Sequence, residues 1–236
     1  MDNKKLGVIG GMGPQATSVF FEKVIEHTAA NNDQEHIDMV ILNHTGLPDR
    51  TQVIQKGNKE DFLEAISGDL RLLEMAGVHH IAIPCNTSHY FFEDMQRMTS
   101  IPLIHMVDET MKQVQQRFGA GSKVGILATN GTISSGIYRL SAEKYGLELH
   151  EPKEELQQLA MEIIYDDVKG NKDVSPAKLE ALIHTLVYEQ QCRAVILACT
   201  ELSCITLTEF YRECAIDAMD VLVERSIILS GKTLTR

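Results

Sequence analysis

Four short apolar runs in this chain end alike, at a turn of glycine or cysteine with small polar residues, and each leads into a helical pattern. LGVIGGMGP at 6–14 aligns with VGILATNGT at 124–132, and HIAIPCNT at 80–87 with AVILACTE at 194–201. The offsets within the two pairs are 118 and 114 residues, which reads as an internal duplication of one unit. Unbroken apolar runs of this length predict strands buried on both faces, and such strands belong to parallel sheets covered by helices. The expected fold is therefore α/β, with two pseudo-symmetric parallel-sheet domains, helices on both faces of each sheet and an interdomain cleft.

The segments between these landmarks keep the alternation. Strands are predicted at 5–10, 39–42, 80–84 and 102–106, with helices carrying Phe20, Phe21, Val24 and Ile25 and then Phe62, Ile66, Leu70 and Leu73, the second closed by Gly77. A polar turn at 86–89 opens a further helix, and 109–118 is another. The pattern restarts at Lys123, with strands at 124–129, 147–150 and 194–198 and a helix running through Tyr145. Ser175 and Pro176 stand at cap and first-turn positions of a helix that buries Leu179, Leu182, Ile183, Leu186 and Val187. A last helix at 220–229 is expected to return to the first half, so the domains are expected at 1–107 with about 214–236, and at 108–213.

Charge and composition remove several function classes. Lys plus Arg number 22 against 33 Asp plus Glu, a net charge of −11, and there is no Trp. An acidic chain without a basic stripe or stacking platforms does not suit a phosphate backbone, so no nucleic-acid partner is expected. No apolar run approaches the roughly 20 residues that span a bilayer, and Gly10, Gly11, Gly13 and Pro14 cut the apolar N-terminal stretch too early for a signal peptide. A cytoplasmic protein with no membrane partner is expected. Five cysteines without a CxxC do not make a disulfide framework, which leaves reduced thiols.

Two of those thiols carry the chemistry. Cys85 and Cys199 each fall at the carboxyl end of a predicted buried strand, where open parallel sheets bind ligands. Each is followed by helix-capping residue types, so the positive end of a helix is expected to lower the thiol pKa from about 8.5. Either cysteine alone also fits a small buried hydrophobe. A pair at equivalent places across a cleft suits a two-base device, in which one thiolate takes a proton from a carbon and the opposed thiol protonates its other face. Charge developing on the substrate then needs donors, and the Gly11–Met12 turn, Asn86, Thr87, Thr129 and Thr200 are placed to supply them.

Five segments in order, GGMGPQAT (10–17), PDRT (48–51), PCNTSH (84–89), the VKGN stretch around Lys169 and ACTEL (198–202), resemble the cofactor-independent aspartate/glutamate racemases, and within them the aspartate racemase branch. The resemblance spans nearly the whole chain. It implies an active site in the cleft between two domains, an amino-acid substrate such as aspartate, no pyridoxal phosphate or other cofactor, no metal, and a homodimer. Residue by residue it implies that Cys85 and Cys199 are the acid/base groups and that Arg50 and Lys169 neutralise the substrate's side-chain carboxylate. Asn86, Thr87, Thr129 and Thr200 would hold its α-carboxylate or amine.

Other readings of the same residues stand beside it. Arg50 also fits a surface arginine paired with Asp49, and Lys169 a solvated helix-end lysine beside Asp166 and Asp167. Glu201 either orients the surroundings of Cys199 or decorates a helix start. Residues 11–16 satisfy the dinucleotide pattern GxGxxA, but the acid expected after the second strand is replaced by Asn43, His44 and Thr45. Cys85 with His89 fits a Cys–His nucleophile, and both with Cys199 a zinc site, against a capping role for His89. A glutamate or broader-specificity racemase, a related isomerase or decarboxylase, and a carboxylate-binding protein would all share much of this scaffold.

Overall fold

The structure, a computed structural model, describes residues 4–172 and 174–235. The chain forms two compact units: it leaves the first after Met106, builds the second from Val107 to Ala218, and re-enters the first at Met219.

In the first unit, β1 (Leu6–Gly10) leads into α1 (Pro14–His27), which starts with the proline that suits a first helical turn. After β2 (Met39–Asn43) come α2 (Arg50–Lys56) and α3 (Glu60–Met75), the latter burying Phe62, Ile66, Leu70 and Leu73 on one face. Next are β3 (His80–Ala82), a 3-10 turn at Thr87–Phe91, and α4 (Phe92–Arg97). The sheet is parallel in the order β2-β1-β3, with Leu6 opposite both Met39 and His80. Every residue of β1 is buried, as a central strand with helices over both faces requires. The core gathers Ile9, Phe62, Ile66, Leu73, Ile81 and Met95.

α5 (Met106–Phe118) carries the chain onward. The second unit holds β4 (Lys123–Leu127), α6 (Asn130–Ser135), α7 (Ile137–Lys144), β5 (Glu148–His150) and α8 (Glu154–Met161), which continues as a π-helical stretch, Glu162–Val168. α9 (Pro176–His184), β6 (Ala194–Leu197), α10 (Glu209–Cys214) and β7 (Ala215–Asp217) complete it. This sheet is parallel in the order β5-β4-β6-β7, so its first three strands repeat the connectivity of the first sheet. α11 (Ala218–Leu229) then belongs, from Met219 on, to the first unit.

Three sequence expectations change. The strand expected at 102–106 is a single parallel bridge, Ile81 with Leu103. Pro102 has no N–H to extend the ladder, and α5 starts at Met106. Its counterpart in the second unit is β7, three residues long, which the sequence pattern did not reveal. The helix expected through Tyr145 is two helices, because Gly136 takes a left-handed φ of 71° between them.

Candidate active site

In the first unit the candidate residues sit where β1, β2 and β3 end. Gly11 follows β1 at φ 89°, and a Cβ there would lie 2.4 Å from the carbonyl carbon of His44, so only glycine fits. Its N–H donates to Thr17 Oγ1 at 2.9 Å, and that hydroxyl donates to the Gly13 carbonyl at 2.9 Å. This corrects one expectation: the Gly11 N–H is engaged inside its own turn and is not presented to a carboxylate. Met12 is buried, its sulfur accepting from the Ser88 hydroxyl at 3.3 Å.

Arg50 opens α2 and is only 7% exposed, so it is not the surface arginine of the alternative reading. Asp49 caps α2 through the Gln52 N–H at 3.0 Å. The Arg50 guanidinium donates to the carbonyls of Pro48 (2.9 Å), Leu47 (3.4 Å) and Met12 (3.4 Å). Within its own unit no described carboxylate pairs with it, and its buried Nε has no hydrogen-bond partner. A buried cation held by carbonyl dipoles keeps an uncompensated positive charge, which favours an anion.

Cys85 is 5% exposed, three residues beyond β3. Asn86 and Thr87 are buried beside it, and His89 lies four residues on. The Met106 N–H donates to His89 Nε2 at 3.1 Å, which leaves the proton on Nδ1 to donate to the Cys85 carbonyl at 3.0 Å. Burial, with a smaller push from His105, lowers the His89 pKa to about 4, so the ring is neutral near pH 7. Both ring nitrogens bond to backbone. His89 therefore steadies the Cys85 loop and does not form the Cys–His nucleophile of the alternative reading.

The second unit supplies Thr129, Lys169, Cys199, Thr200 and Glu201. Thr129 caps α6 by accepting from the Thr132 N–H at 3.2 Å. Cys199, 5% exposed, lies two residues beyond β6, and its thiol donates to Glu201 Oε2 at 2.9 Å. Glu201 is 4% exposed, and its other oxygen lies 3.7 Å from Lys169 Nζ. Lys169 also stands 4.4 Å over the Tyr165 ring, at the end of the π-helical stretch. It is thus paired with Glu201 and is not a solvated helix-end lysine.

The electrostatics of Cys199 overturn the expected lowering of its pKa. Burial pushes the thiol well above the ordinary range, the Glu201 charge and hydrogen bond push it further, and Lys169 opposes them only in part. The segments after both cysteines are 3-10 turns, Thr87–Phe91 and Leu202–Cys204, and neither has a side-chain cap. A turn this short carries little of the dipole that the helix argument needs. Tyr138 is fully buried in the same unit, and burial raises the pKa of its phenol, with the charges of Asp217 and Cys199 adding to the push. Its place on α7 gave no sequence signal, whereas Thr17 and Ser88 lie inside the GGMGPQAT and PCNTSH segments.

Among the described residues no three His, Cys, Asp or Glu side chains converge as a metal site requires, and no helix is long and apolar enough to cross a membrane. All five cysteines are free.

Comparison with known proteins adds to this geometry. The family model described as Asp/Glu/Hydantoin racemase matches residues 9–225. A broad-specificity amino-acid racemase of Bacillus subtilis (strain 168) is 32% identical over 206 residues, covering 85% of this chain and 86% of that protein. The aspartate racemase of Picrophilus torridus superposes with a TM-score of 0.83 at 30% identity, over 98% of this chain and 96% of that one. A glutamate racemase from Francisella tularensis, solved with D-glutamate, shares the fold with a TM-score of 0.62 at 19% identity, over 97% of this chain and 81% of that one.

Proposed function

The chain belongs to the Asp/Glu/hydantoin racemase family, an isomerase of the amino-acid racemase class, and on that premise we propose that it inverts the α-carbon of aspartate with Cys85 and Cys199 as paired acid and base. One observation carries this reading. The two sheets share a strand order, and in each the strand beside the central one, β3 or β6, leads within three residues to a buried cysteine. Equivalent thiols on equivalent elements suit a reaction in which one removes the α-proton and the other returns a proton to the opposite face, with the roles reversed in the back reaction.

Arg50 binds the substrate's side-chain carboxylate, since its buried guanidinium has carbonyl partners but no carboxylate in its own unit. Asn86, Thr87 and Thr200 position the α-carboxylate and amine, and hydrogen bonds that strengthen as charge builds at the α-carbon lower the barrier. Thr129, whose hydroxyl caps α6, positions its loop. Lys169 contributes positive charge on the side of Glu201. The enzyme works on chain groups alone, as a homodimer in the cytoplasm, where its thiols stay reduced.

The test is incubation of reduced protein with L-aspartate and no added cofactor, followed by chiral analysis. D-aspartate is expected to accumulate toward a racemic mixture, and Cys85→Ser and Cys199→Ser should each slow it by at least about a hundredfold. Substantial racemisation by either folded variant contradicts the paired-thiol assignment. A wider substrate range is a second reading, favoured by the 32% identity to a broad-specificity racemase. Turnover of neutral or basic amino acids as efficiently as of aspartate would establish it.

A further inference from the structure

The loop that holds Arg50 is itself held by an acid–histidine pair outside the reacting groups. Asp69 sits on the buried face of α3, in line with Phe62, Ile66 and Leu73, and is only 6% exposed. A carboxylate in such a place is costly unless it is paired. Among the described residues its partner is His44, the first residue after β2, whose Nδ1 lies 2.9 Å from Asp69 Oδ2. A Cβ at Gly46 would stand 3.6 Å from His44 Nε2, so the ring lies between α3 and its own loop.

From His44 the chain runs directly to the partners of the guanidinium. The His44 N–H donates to the Gly10 carbonyl at 3.3 Å, and its backbone lies against Gly11, one residue before the Met12 carbonyl that accepts from Arg50. Three and four residues after His44 come Leu47 and Pro48, whose carbonyls accept from the same guanidinium. Thr45 and Gly46 in between are exposed and add no packing of their own. We propose that the His44–Asp69 pair positions Arg50: it pins the β2–α2 loop to α3 and so fixes how the guanidinium meets the side-chain carboxylate of an acidic substrate. An apolar residue at position 69 would serve the core at least as well, so what the pair contributes is placement. In this role neither side chain touches the substrate, and the effect falls on binding and not on proton transfer.

The inference rests on Arg50 as the carboxylate binder, and two measurements on the full chain keep their failures distinguishable. The first is steady-state racemisation of L-aspartate. Asp69→Leu cuts the tether without leaving a buried charge behind, so urea denaturation should show native or higher stability. KM should nevertheless rise about tenfold, with kcat within about threefold of native. His44→Ala should raise KM likewise, and His44→Asn, whose amide nitrogen can stand in for the ring N–H, should bring it back to within about threefold. In an Arg50→Lys background, adding Asp69→Leu should change KM by less than about twofold, because the guanidinium it positions is gone. An unchanged KM for Asp69→Leu overturns the proposal. So does an equal rise in the Arg50→Lys background, or a variant that loses stability and kcat together, which is what a purely structural role gives.

The second measurement needs no substrate. In Asp69→Leu the backbone amides of residues 44–49 should exchange hydrogen at least about tenfold faster than in the native chain, while those of β4 keep their native rates. Unchanged exchange in the loop overturns the tether. If the native chain does not racemise aspartate, the function is wrong, while the loop's exchange still decides whether His44 and Asp69 hold it.

Discussion

A methyl group at Gly11 would press against the backbone of His44, and the residue already sits at φ 89°. Gly11→Ala should therefore cost more than about 1 kcal/mol in urea denaturation, and it should disturb the Met12 carbonyl that Arg50 bonds. A variant of native stability would show that the turn has room to move. Arg50→Lys keeps the charge but loses the planar fork, so KM for aspartate should rise about tenfold or more while kcat changes less. An unchanged KM would remove Arg50 from the binding site. At this scale the cysteines, Arg50 and Lys169 stood out in the sequence as candidates because their segments are distinctive. The burial of Arg50 and the raised pKa of Cys199 were not, because they depend on carbonyls and a carboxylate that only folding gathers around them.

The fourth sheet position shows what elements reveal and hide. Both central strands, β1 and β4, were legible as unbroken apolar runs, whereas β7 is three residues long and offers no period to read. The short helices α2 and α10 escaped for the same reason. β3 and the loop after it bring two buried histidines, His80 and His89, each with a pKa that burial lowers to about 4. Each prefers to be protonated in the unfolded chain, so the stability they allow is full above about pH 6.5 and falls as the pH drops toward 4. The expected loss between pH 7 and pH 5 is about 2 kcal/mol apiece. His89→Gln should flatten that slope by its share in urea denaturation at the two pH values, and an unaltered slope would mean that His89 is already charged in the folded protein.

Across the whole molecule, the duplicated pattern that opens the sequence becomes two sheets with a shared strand order, and the chain ends by returning to the unit where it began. That return was legible only as a helical period. In the structure α11 buries Met219, Leu222, Val223 and Ile227 completely, and beyond it Ser230 bonds His80 at 3.1 Å. Removing the chain after Asp217 deletes those four side chains, each worth about 2–5 kcal/mol to a core, more in sum than a domain's usual margin. Limited proteolysis should then digest the first unit while residues 107–217 persist; equal resistance of both would contradict this dependence. The central claim is inversion by two different groups, and the isotope content of the earliest product tests it most directly. In D₂O, with conversion of L-aspartate kept to a few per cent, the D-aspartate formed should carry deuterium at its α-carbon in essentially every molecule, because the proton it receives comes from the second, solvent-exchanged thiol. D-aspartate that keeps the substrate's own α-proton would mean that a single group both removes and returns it, and would contradict the paired-thiol mechanism.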